Sequence, residues 1–424
     1  MMVRIARLHA TEILDSRARP TLAVTLTTDS GLRVRADVPS GESTGSREAA
    51  ELRDGDPRRF AGQGVRQAVS HVNVQIAHAL VGQRFASVAE VDAALIELDG
   101  TPDKSRLGAN AVIGVSLAAA RAQAALYGRE LWQDIAALCG AAPLLPVPHF
   151  TVIDGGVHAA NSLDFQEFMI APLGAPSLPE AVRAGAEIYG RLGARLAAGG
   201  LGRGLGDEGG FAPALDRPED VLRELVAAIT DAGYTPGRDG VALALDPAAS
   251  EFRGPDGRYR VAGELLTSDE LIDRYEEIVQ RFPVWSIEDG LGEDDWDGWA
   301  RLTARLGERI QIVGDDLFVT SPAIIAEAVR KKVANCALIK VNQIGTVTET
   351  LEAVRVGRAA GYTQMVSHRS GETEDSFIAD LAVGSGCGQF KSGAPARGER
   401  VAKYNRLLEI AEMDPGLPFG LTPG

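Results

Sequence analysis

The first part of the chain alternates between apolar and polar positions. From Arg4 to about Val38 the runs LAVTLTT and GLRVRADV alternate, and a Ser-Gly turn signal separates them. A period of two predicts strands with one buried face, so we expect a short antiparallel meander. The polar stretch SGESTGSREAAELRDGD at 40–56 then leads into alanine-rich segments that predict helices to about Leu138. This part is therefore predicted to be an α+β domain.

Short apolar runs recur in the second part, after the proline-rich segment AAPLLPVP at 141–148. Most of them end in a polar or charged residue. The eight runs are FTVID, FQEFMIAP, VALALD, VWSIED, IQIVGDD, CALIKVNQ, QMVSHRS and GQFKSGAP. Helical patterns separate the later runs, and this alternation predicts a parallel, eight-stranded, TIM-like α/β barrel. We accordingly divide the chain into an N-terminal α+β domain, residues 1–138, and a catalytic barrel, residues 139–424.

Composition narrows the class of protein. The 424 residues are 45% hydrophobic and 24% charged, which suits a globular protein with a large core. A net charge of −15 without a long basic cluster argues against nucleic acid or an anionic membrane surface as the main partner. The sequence shows neither a secretory signal nor a bilayer-length apolar segment, and its three cysteines form no CxxC pair. We expect a cytoplasmic protein.

Three carboxylates stand at the ends of three successive predicted strands: Asp246, Glu288 and Asp315. Side chains at the C-terminal ends of barrel strands converge on one mouth, where these acids would repel one another unless a cation lay between them. Oxygen ligands without nearby Cys or His favour magnesium over zinc. The alternative is that each acid only caps the helix after its strand.

Two lysines end other strands of the predicted barrel, Lys340 after CALI and Lys391 after GQF. Burial and neighbouring cations lower the pKa of a lysine, and an amine tuned in this way can act as a general base. We therefore expect a lowered pKa at Lys340. The alternative is a salt bridge to a nearby carboxylate.

The segment VSHRSGETED places His368, Arg369 and Ser370 at another strand end. The planar donors of arginine suit a phosphate group, and serine can donate to the same group. A structural salt bridge from Arg369 to Glu372 or Glu374 is the alternative. His158 and Glu167 lie on the first two strand regions, where each could equally be a buried core polar residue.

The stretch LGDEGGFAP, residues 205–213, sets Asp207 beside Glu208 among glycines. A solvated turn would explain this pattern, since Gly and Asp are common in turns. The alternative is that the two adjacent carboxylates take part in chemistry.

The sequence is similar to the enolase family over nearly the whole chain, from about Ile5 to about Glu412. Eight motifs carry the resemblance in the family's order. They are SGESTGSREAAELRDGD, GANAVIGVSLA, GGVHAANSLDFQEFMI, GDEGGFAP, IEDGLGEDDWDGW, IVGDDLFVT, IKVNQIGT and VSHRSGETEDSFIADLAVG. The resemblance implies a hydro-lyase, phosphopyruvate hydratase, which dehydrates 2-phosphoglycerate to phosphoenolpyruvate in glycolysis with two magnesium ions. It also implies a homo-oligomer, either a dimer or an octamer.

The resemblance also assigns roles to residues of this chain. Lys340 corresponds to the base that removes the α-proton, and Glu208 to the acid that helps the hydroxyl leave, with a pKa that crowding by other acids should raise. Asp246, Glu288 and Asp315 correspond to the ligands of the tighter magnesium ion, and Ser40 to a loop residue that helps hold the second. The positions implied to bind substrate or assist the acid are His158, Glu167, Glu288, His368, Arg369, Ser370 and Lys391.

Several positions depart from the family's usual motifs. Glu42 replaces alanine in SGASTG, Arg19 lies in the altered SRGNPT turn, and Thr151 and Asp154 replace asparagines in FNVINGG. A carboxylate at Glu42 should repel an anionic substrate unless it points outward. These departures keep a second function open: a paralogue that acts on a phosphoglycerate analogue, such as carboxyphosphonoenolpyruvate synthase.

Two further alternatives are less favoured by the sequence. A mainly structural or binding role conflicts with the retention of every catalytic position. Racemases and lactonising enzymes on related barrels lack the GDEGG and SHRSGETED segments that this chain contains.

Overall fold

A computed structural model describes residues 2–421 of the chain. Its first strands form a four-stranded antiparallel sheet in the order β3-β2-β1-β4. The strands are β1 (Val3–Leu14), β2 (Pro20–Thr28), β3 (Arg33–Asp37) and β4 (Arg84–Phe85). The predicted meander is confirmed, because alternate residues such as Ile5, Leu22 and Val24 face the core.

Helices cover one face of this sheet. They are α1 (Arg66–Ser70), α2 (Ala77–Leu80), α3 (Val88–Asp99), α4 (Ala109–Leu126) and α5 (Leu131–Cys139), with a π-helical turn at His71–Ile76 between the first two. Helix α4 packs against β2 and β3. By length and composition it is the one helix among residues 2–421 that could cross a membrane, but 83% of it is buried inside the protein. This burial is that of a core helix.

Eight strands of the second part close into a barrel in the order β10-β11-β12-β13-β14-β5-β6-β7. They are β5 (Val147–Asp154), β6 (Glu167–Ala171), β7 (Ala242–Asp246), β10 (Val284–Glu288), β11 (Gln311–Gly314), β12 (Cys336–Ile339), β13 (Thr363–Ser367) and β14 (Gln389–Lys391). A small hairpin, β8 (Tyr259–Val261) and β9 (Glu264–Leu266), follows β7. Each predicted run supplies one barrel strand, so the TIM-like barrel is confirmed.

The prediction of an all-parallel barrel is wrong at β6, which runs antiparallel to both β5 and β7. The connection from β5 to β6, residues 155–166, is described throughout and holds only the short 3-10 turn Gly156–His158. A parallel crossover usually needs a helix, so this connection reverses the chain instead. As a result Glu167 begins its strand at the mouth where the other strands end, in register with Asp246.

Helices surround the barrel. They are α6 (Leu178–Ala198), α7 (Pro218–Asp231), α8 (Ser268–Arg281), α9 (Trp296–Leu306), α10 (Pro322–Lys331), α11 (Val341–Ile344), α12 (Val347–Ala359), α13 (Phe377–Ser385) and α14 (Gly398–Met413). Helix α6 begins at a Ser177 cap with proline in its first turn, which are common start signals. Its apolar face packs on β5.

Two glycines of α6 test how tightly this helix packs. A Cβ atom at Gly185 would lie 2.3 Å from the Phe150 ring, whereas one at Gly190 would meet nothing within 4 Å. We expect Gly185→Ala to lower the free energy of unfolding by about 1–3 kcal/mol through overpacking. Gly190→Ala should raise it by about 0.5–1 kcal/mol, because alanine favours a helix. Urea denaturation measures both changes, and equal effects would contradict the packing.

Candidate active site

A cavity opens at the mouth of the barrel, and almost every side chain that lines it is polar or charged. The lining residues are Ser43, His158, Gln166, Glu167, Glu208, Asp246, Ala248, Asp289, Asp315, Asp316, Lys340, Ser367, His368, Arg369, Ser370 and Lys391. They come from different strand ends, from the loop after β3, from the connection between β5 and β6, and from the loop between α6 and α7. Most of the residues that the sequence singled out therefore meet at one place.

Lys391 lies at the centre of the buried charges. Its Nζ is 3.0 Å from Asp246 Oδ2, 2.9 Å from Glu288 Oε1 and 3.0 Å from Glu167 Oε1. All four side chains are almost fully buried. Burial alone lowers the pKa of Lys391, but the three carboxylates outweigh it and hold the pKa well above its ordinary value. Lys391 is thus a fixed positive charge.

Lys340 forms a close ion pair with Asp315, and the other oxygen of Asp315 accepts a hydrogen bond of 2.8 Å from Gln343 Nε2. Burial lowers the pKa of Lys340, and Asp315 then raises it above its ordinary value. The expected lowering of this pKa is therefore wrong for the arrangement in this structure. The reason is that Asp315 contacts Lys340 directly, and its attraction exceeds the opposing effects of Arg369 and Lys391.

The acids at the mouth divide into groups that differ from the predicted trio. Two sets of three side chains have ligand atoms within 4.8 Å of one another: Asp289, Asp315 and Asp316, and separately His158, Glu167 and Glu208. Asp246, Glu288 and Asp315 do not form a third such set within residues 2–421. Lys391 lies between the first two of these acids, and Lys340 pairs with the third.

The chemistry of the mouth fits a hard divalent cation. Asp246, Glu288 and Asp315 offer only oxygen ligands, and Glu288 Oε2 is buried without a hydrogen-bond partner among the described residues. Asp289 and Asp316 extend this acidic surface, and the Asp289 carboxylate accepts the N–H groups of Asp315 and Asp316 at 2.9 and 2.8 Å. Neither was predicted from the sequence, although each directly follows a predicted ligand.

Glu208 lies between two histidines. His368 Nε2 is 3.1 Å from Glu208 Oε2, and His158 Nδ1 is 3.7 Å from Glu208 Oε1. Arg400 Nη1 donates to His368 Nδ1 at 2.6 Å, so the proton of a neutral His368 must sit on Nε2 and face Glu208. Burial lowers the pKa of His368 to about 3. Glu208 is consequently beside a neutral imidazole at pH 7.

The pKa of Glu208 is set by opposing effects. Burial raises it, but the adjacent His368 and His158 outweigh burial and lower it well below its ordinary value. The expectation that crowding by acids raises the pKa of Glu208 is therefore wrong here, since the two imidazoles lie next to its carboxylate. Glu208 is the ionised member of the cluster in this structure.

Two of the departures from the family's motifs contact Glu208. Thr151 Oγ1 donates to Glu167 Oε2 at 2.7 Å, and the Glu208 N–H donates to Asp154 Oδ2 at 3.2 Å. Asp154 is fully buried, and burial raises its pKa well above the ordinary value. Burial thus disfavours the ionised form of the carboxyl group that stands where the motif has a neutral amide.

Arg369 is held by the loop after β3. Its Nη1 and Nη2 lie 2.9 and 3.1 Å from the two oxygens of Glu48. The salt bridge considered as an alternative, to Glu372 or Glu374, is not the pairing seen, because Glu372 accepts the Arg369 N–H and pairs with Lys403. The arginine therefore presents a fork that is filled by a carboxylate of this chain.

Ser370 and Ser40 contact the same loop in different ways. Ser370 Oγ accepts hydrogen bonds from the Glu42 N–H at 2.9 Å and from Arg17 Nη1 at 3.2 Å. Ser40 Oγ accepts from Arg53 Nη2 at 2.7 Å, and Ser40 is not among the residues that line the cavity. Ser43 lines it instead. A role for Ser40 at a second magnesium ion stays a prediction.

Two other departures, Glu42 and Arg19, contact each other. Glu42 forms ion pairs with Arg17, at 2.6 Å, and with Arg19, whose Nη2 lies 3.2 Å from Glu42 Oε1. The negative charge of Glu42 is therefore balanced by two arginines of the same chain. The sequence offered no signal for this pairing, since more than twenty positions separate Glu42 from its partners.

Two other residues of the site were missed. Gln166 lines the cavity, and its Oε1 is buried without a partner among the described residues. Its place beside Glu167 in FQEFMI could have indicated it. Arg400, which fixes the tautomer of His368, lies on α14 and has no sequence signal beyond helical spacing.

The fold and the mouth together define a barrel enzyme that works with carboxylates, amines and neutral imidazoles at its strand ends. Residues 5–135 match the family model "Enolase, N-terminal domain", and residues 142–414 match "Enolase, C-terminal TIM barrel domain". The chain therefore belongs to the enolase family and is an enolase-like lyase.

Two sets of acids could hold magnesium: Asp246, Glu288 and Asp315, or Asp289, Asp315 and Asp316. If Asp246, Glu288 and Asp315 hold the ion, Asp246→Asn should weaken magnesium binding by more than about tenfold, as loss of a direct ligand requires. Asp316→Asn, which changes only the other set, should leave the affinity nearly unchanged. Isothermal titration calorimetry measures both, with circular dichroism to verify the fold. The reverse order would assign the ion to Asp289, Asp315 and Asp316.

Proposed function

We propose that this protein catalyses the magnesium-dependent dehydration of 2-phosphoglycerate to phosphoenolpyruvate, the phosphopyruvate hydratase reaction of glycolysis. One observation carries the proposal. In an enolase-family barrel, a lysine and a glutamate of the residue types that can serve as base and acid, Lys340 and Glu208, line the same buried cavity. Lys391 and several acids of the barrel mouth line this cavity as well.

Removal of a proton next to a carboxylate places further negative charge on one small group, so the site must supply positive charge there. Lys391 is a permanent cation within the cavity. Asp246, Glu288 and Asp315 would hold magnesium, which when bound supplies the charge that stabilises the developing enediolate. Lys340 would take the α-proton at its Nζ. It can do so only as a neutral amine, so its pairing with Asp315 must loosen when substrate binds.

Glu208 would protonate the leaving hydroxyl. In this structure it is ionised, but an anionic substrate adds negative charge beside it and disfavours that charged form. Its pKa should accordingly rise on binding, and the carboxyl group can then carry the proton. His368 Nε2 and His158 Nδ1 face the same carboxylate and orient it. Thr151 holds Glu167, which the proposal places against the substrate with Glu288.

The phosphate group would bind at Arg369 and Ser370. The guanidinium of Arg369 already holds a carboxylate, Glu48, in the two-pronged manner that suits a phosphate. A dianionic phosphate is the stronger partner, so Glu48 and the loop that carries it would have to give way. Gly41 fits this account, because a Cβ atom there would lie 1.9 Å from Arg369 Nη2 and prevent the close approach of the loop.

The family matches do not favour the paralogue that uses a phosphoglycerate analogue. The concern that raised it, a carboxylate at Glu42 facing an anionic substrate, is also weakened by the two guanidiniums that neutralise Glu42. A cytoplasmic, homo-oligomeric enzyme remains part of the proposal. It rests on the family resemblance.

The direct test mixes pure protein, magnesium and 2-phosphoglycerate and follows the ultraviolet absorbance of the enol product. Lys340→Ala and Glu208→Gln should each lower kcat by about 100- to 10,000-fold, because each removes a proton-transfer group. Asp207→Asn is the matched control, since Asp207 neighbours Glu208 but does not line the cavity. It should keep most of the activity. A wild-type protein that binds magnesium but leaves 2-phosphoglycerate unchanged would refute the proposed substrate.

A further inference from the structure

Two guanidiniums lie beside the phosphate end of the proposed site. Arg17 Nη1 is 3.2 Å from Ser370 Oγ, and the same atom is 2.6 Å from Glu42 Oε2. Arg19 directs both of its Nη atoms at the Glu42 carboxylate. We call Arg17 and Arg19 the guanidinium pair. The pair and Ser370 therefore share one small region, with Glu42 seated on it.

The charges of this region balance only when Glu42 is counted. Arg17 is 5% exposed and also pairs with the buried Asp15, its Nη2 lying 3.2 Å from Asp15 Oδ2. Asp15 and Glu42 together match the two positive charges of the guanidinium pair. Without the carboxylate of Glu42, one positive charge would be left over next to Ser370.

Glu42 is also fixed in place by its backbone. Its N–H donates to Ser370 Oγ at 2.9 Å, and the neighbouring Gly41 lies against the guanidinium of Arg369. The side chain is 30% exposed, and its partner Arg17 also donates to Ser370, which lines the cavity. The Glu42 carboxylate thus occupies the place on Arg17 and Arg19 that an anionic group of a ligand could otherwise take.

We propose that Glu42 is a specificity-determining residue that fills a second anion subsite on the guanidinium pair. The inference rests on the proposed function, because it takes Ser370 and Arg369 as the phosphate seat. By filling this subsite, Glu42 admits a simple phosphate ester and rejects a phosphoryl group that carries another anionic group. Such a ligand would have to displace Glu42 or lie beside a like charge, and either is unfavourable.

Phosphonoformate is a suitable probe, since it is a phosphoryl group bonded to a carboxylate. We would measure its dissociation constant by calorimetry in excess magnesium, for wild type and for Glu42→Gln. The glutamine keeps the size of the side chain and removes its charge. Glu42→Gln should bind phosphonoformate at least about tenfold more tightly. Inorganic phosphate would contact only Arg369 and Ser370, so its dissociation constant should change less.

Two further variants separate charge from structure. Arg19→Gln leaves Glu42 with one guanidinium, so phosphonoformate should bind more weakly than to wild type, and the double variant should return toward the wild-type value. A purely structural role would make both single variants bind more weakly. Glu224→Gln is the matched control, because Glu224 is 28% exposed and pairs with Arg195 at 3.0 Å, on α7 outside the cavity. It should change nothing.

Equal phosphonoformate affinity in wild type and Glu42→Gln, or weaker binding in both single variants, would overturn the subsite. Turnover of 2-phosphoglycerate, followed in parallel, separates this failure from that of the proposed function. Opposite shifts in the two single variants without any turnover would leave the subsite standing and refute the substrate. Turnover of 2-phosphoglycerate without those shifts in phosphonoformate affinity would support the substrate and refute the subsite.

Discussion

Lys391 brings one ammonium within about 3 Å of three buried carboxylates, those of Glu167, Asp246 and Glu288. Isolated charges are rarely buried, because removal from water is unfavourable unless opposite charge and hydrogen bonds compensate it. The barrel provides that compensation by closing a strand of reversed direction next to β5 and β7, which brings Glu167 to the mouth. The candidate site is thus a set of charges that can stay buried only together.

The same balance explains the departures from the family's motifs. Glu42 brings a new negative charge, and Arg19, another departure, is one of the two guanidiniums that neutralise it. Asp154 brings a carboxyl group in place of an amide, and burial raises its pKa well above the ordinary value, which disfavours a charge there. At Glu42 and Arg19 the two new charges are opposite and pair with each other. A single position read alone would suggest a conflict that the structure does not contain.

Much of the fold could be predicted from the sequence, because apolar periodicity fixes which residues are buried. The eight apolar runs became the eight barrel strands, and their polar last residues reached one mouth. The direction of β6 could not be predicted, since it depends on a connection whose lack of a helix the pattern did not reveal. The protonation of Lys340 and Glu208 was also out of reach. The pKa of each side chain depends on which charged or polar group lies within about 3 Å of it. The spacing of residues along the sequence does not reveal that neighbour.

The central claim is that the buried acids of the mouth need the positive charge of Lys391. Urea denaturation of Lys391→Met in magnesium-free buffer tests it most directly, with Lys331→Met, which breaks an exposed ion pair on α10, as the control. We expect Lys391→Met to lower the free energy of unfolding by about 3–5 kcal/mol, because it leaves buried carboxylates without their partner. A loss no greater than that of the control would contradict it.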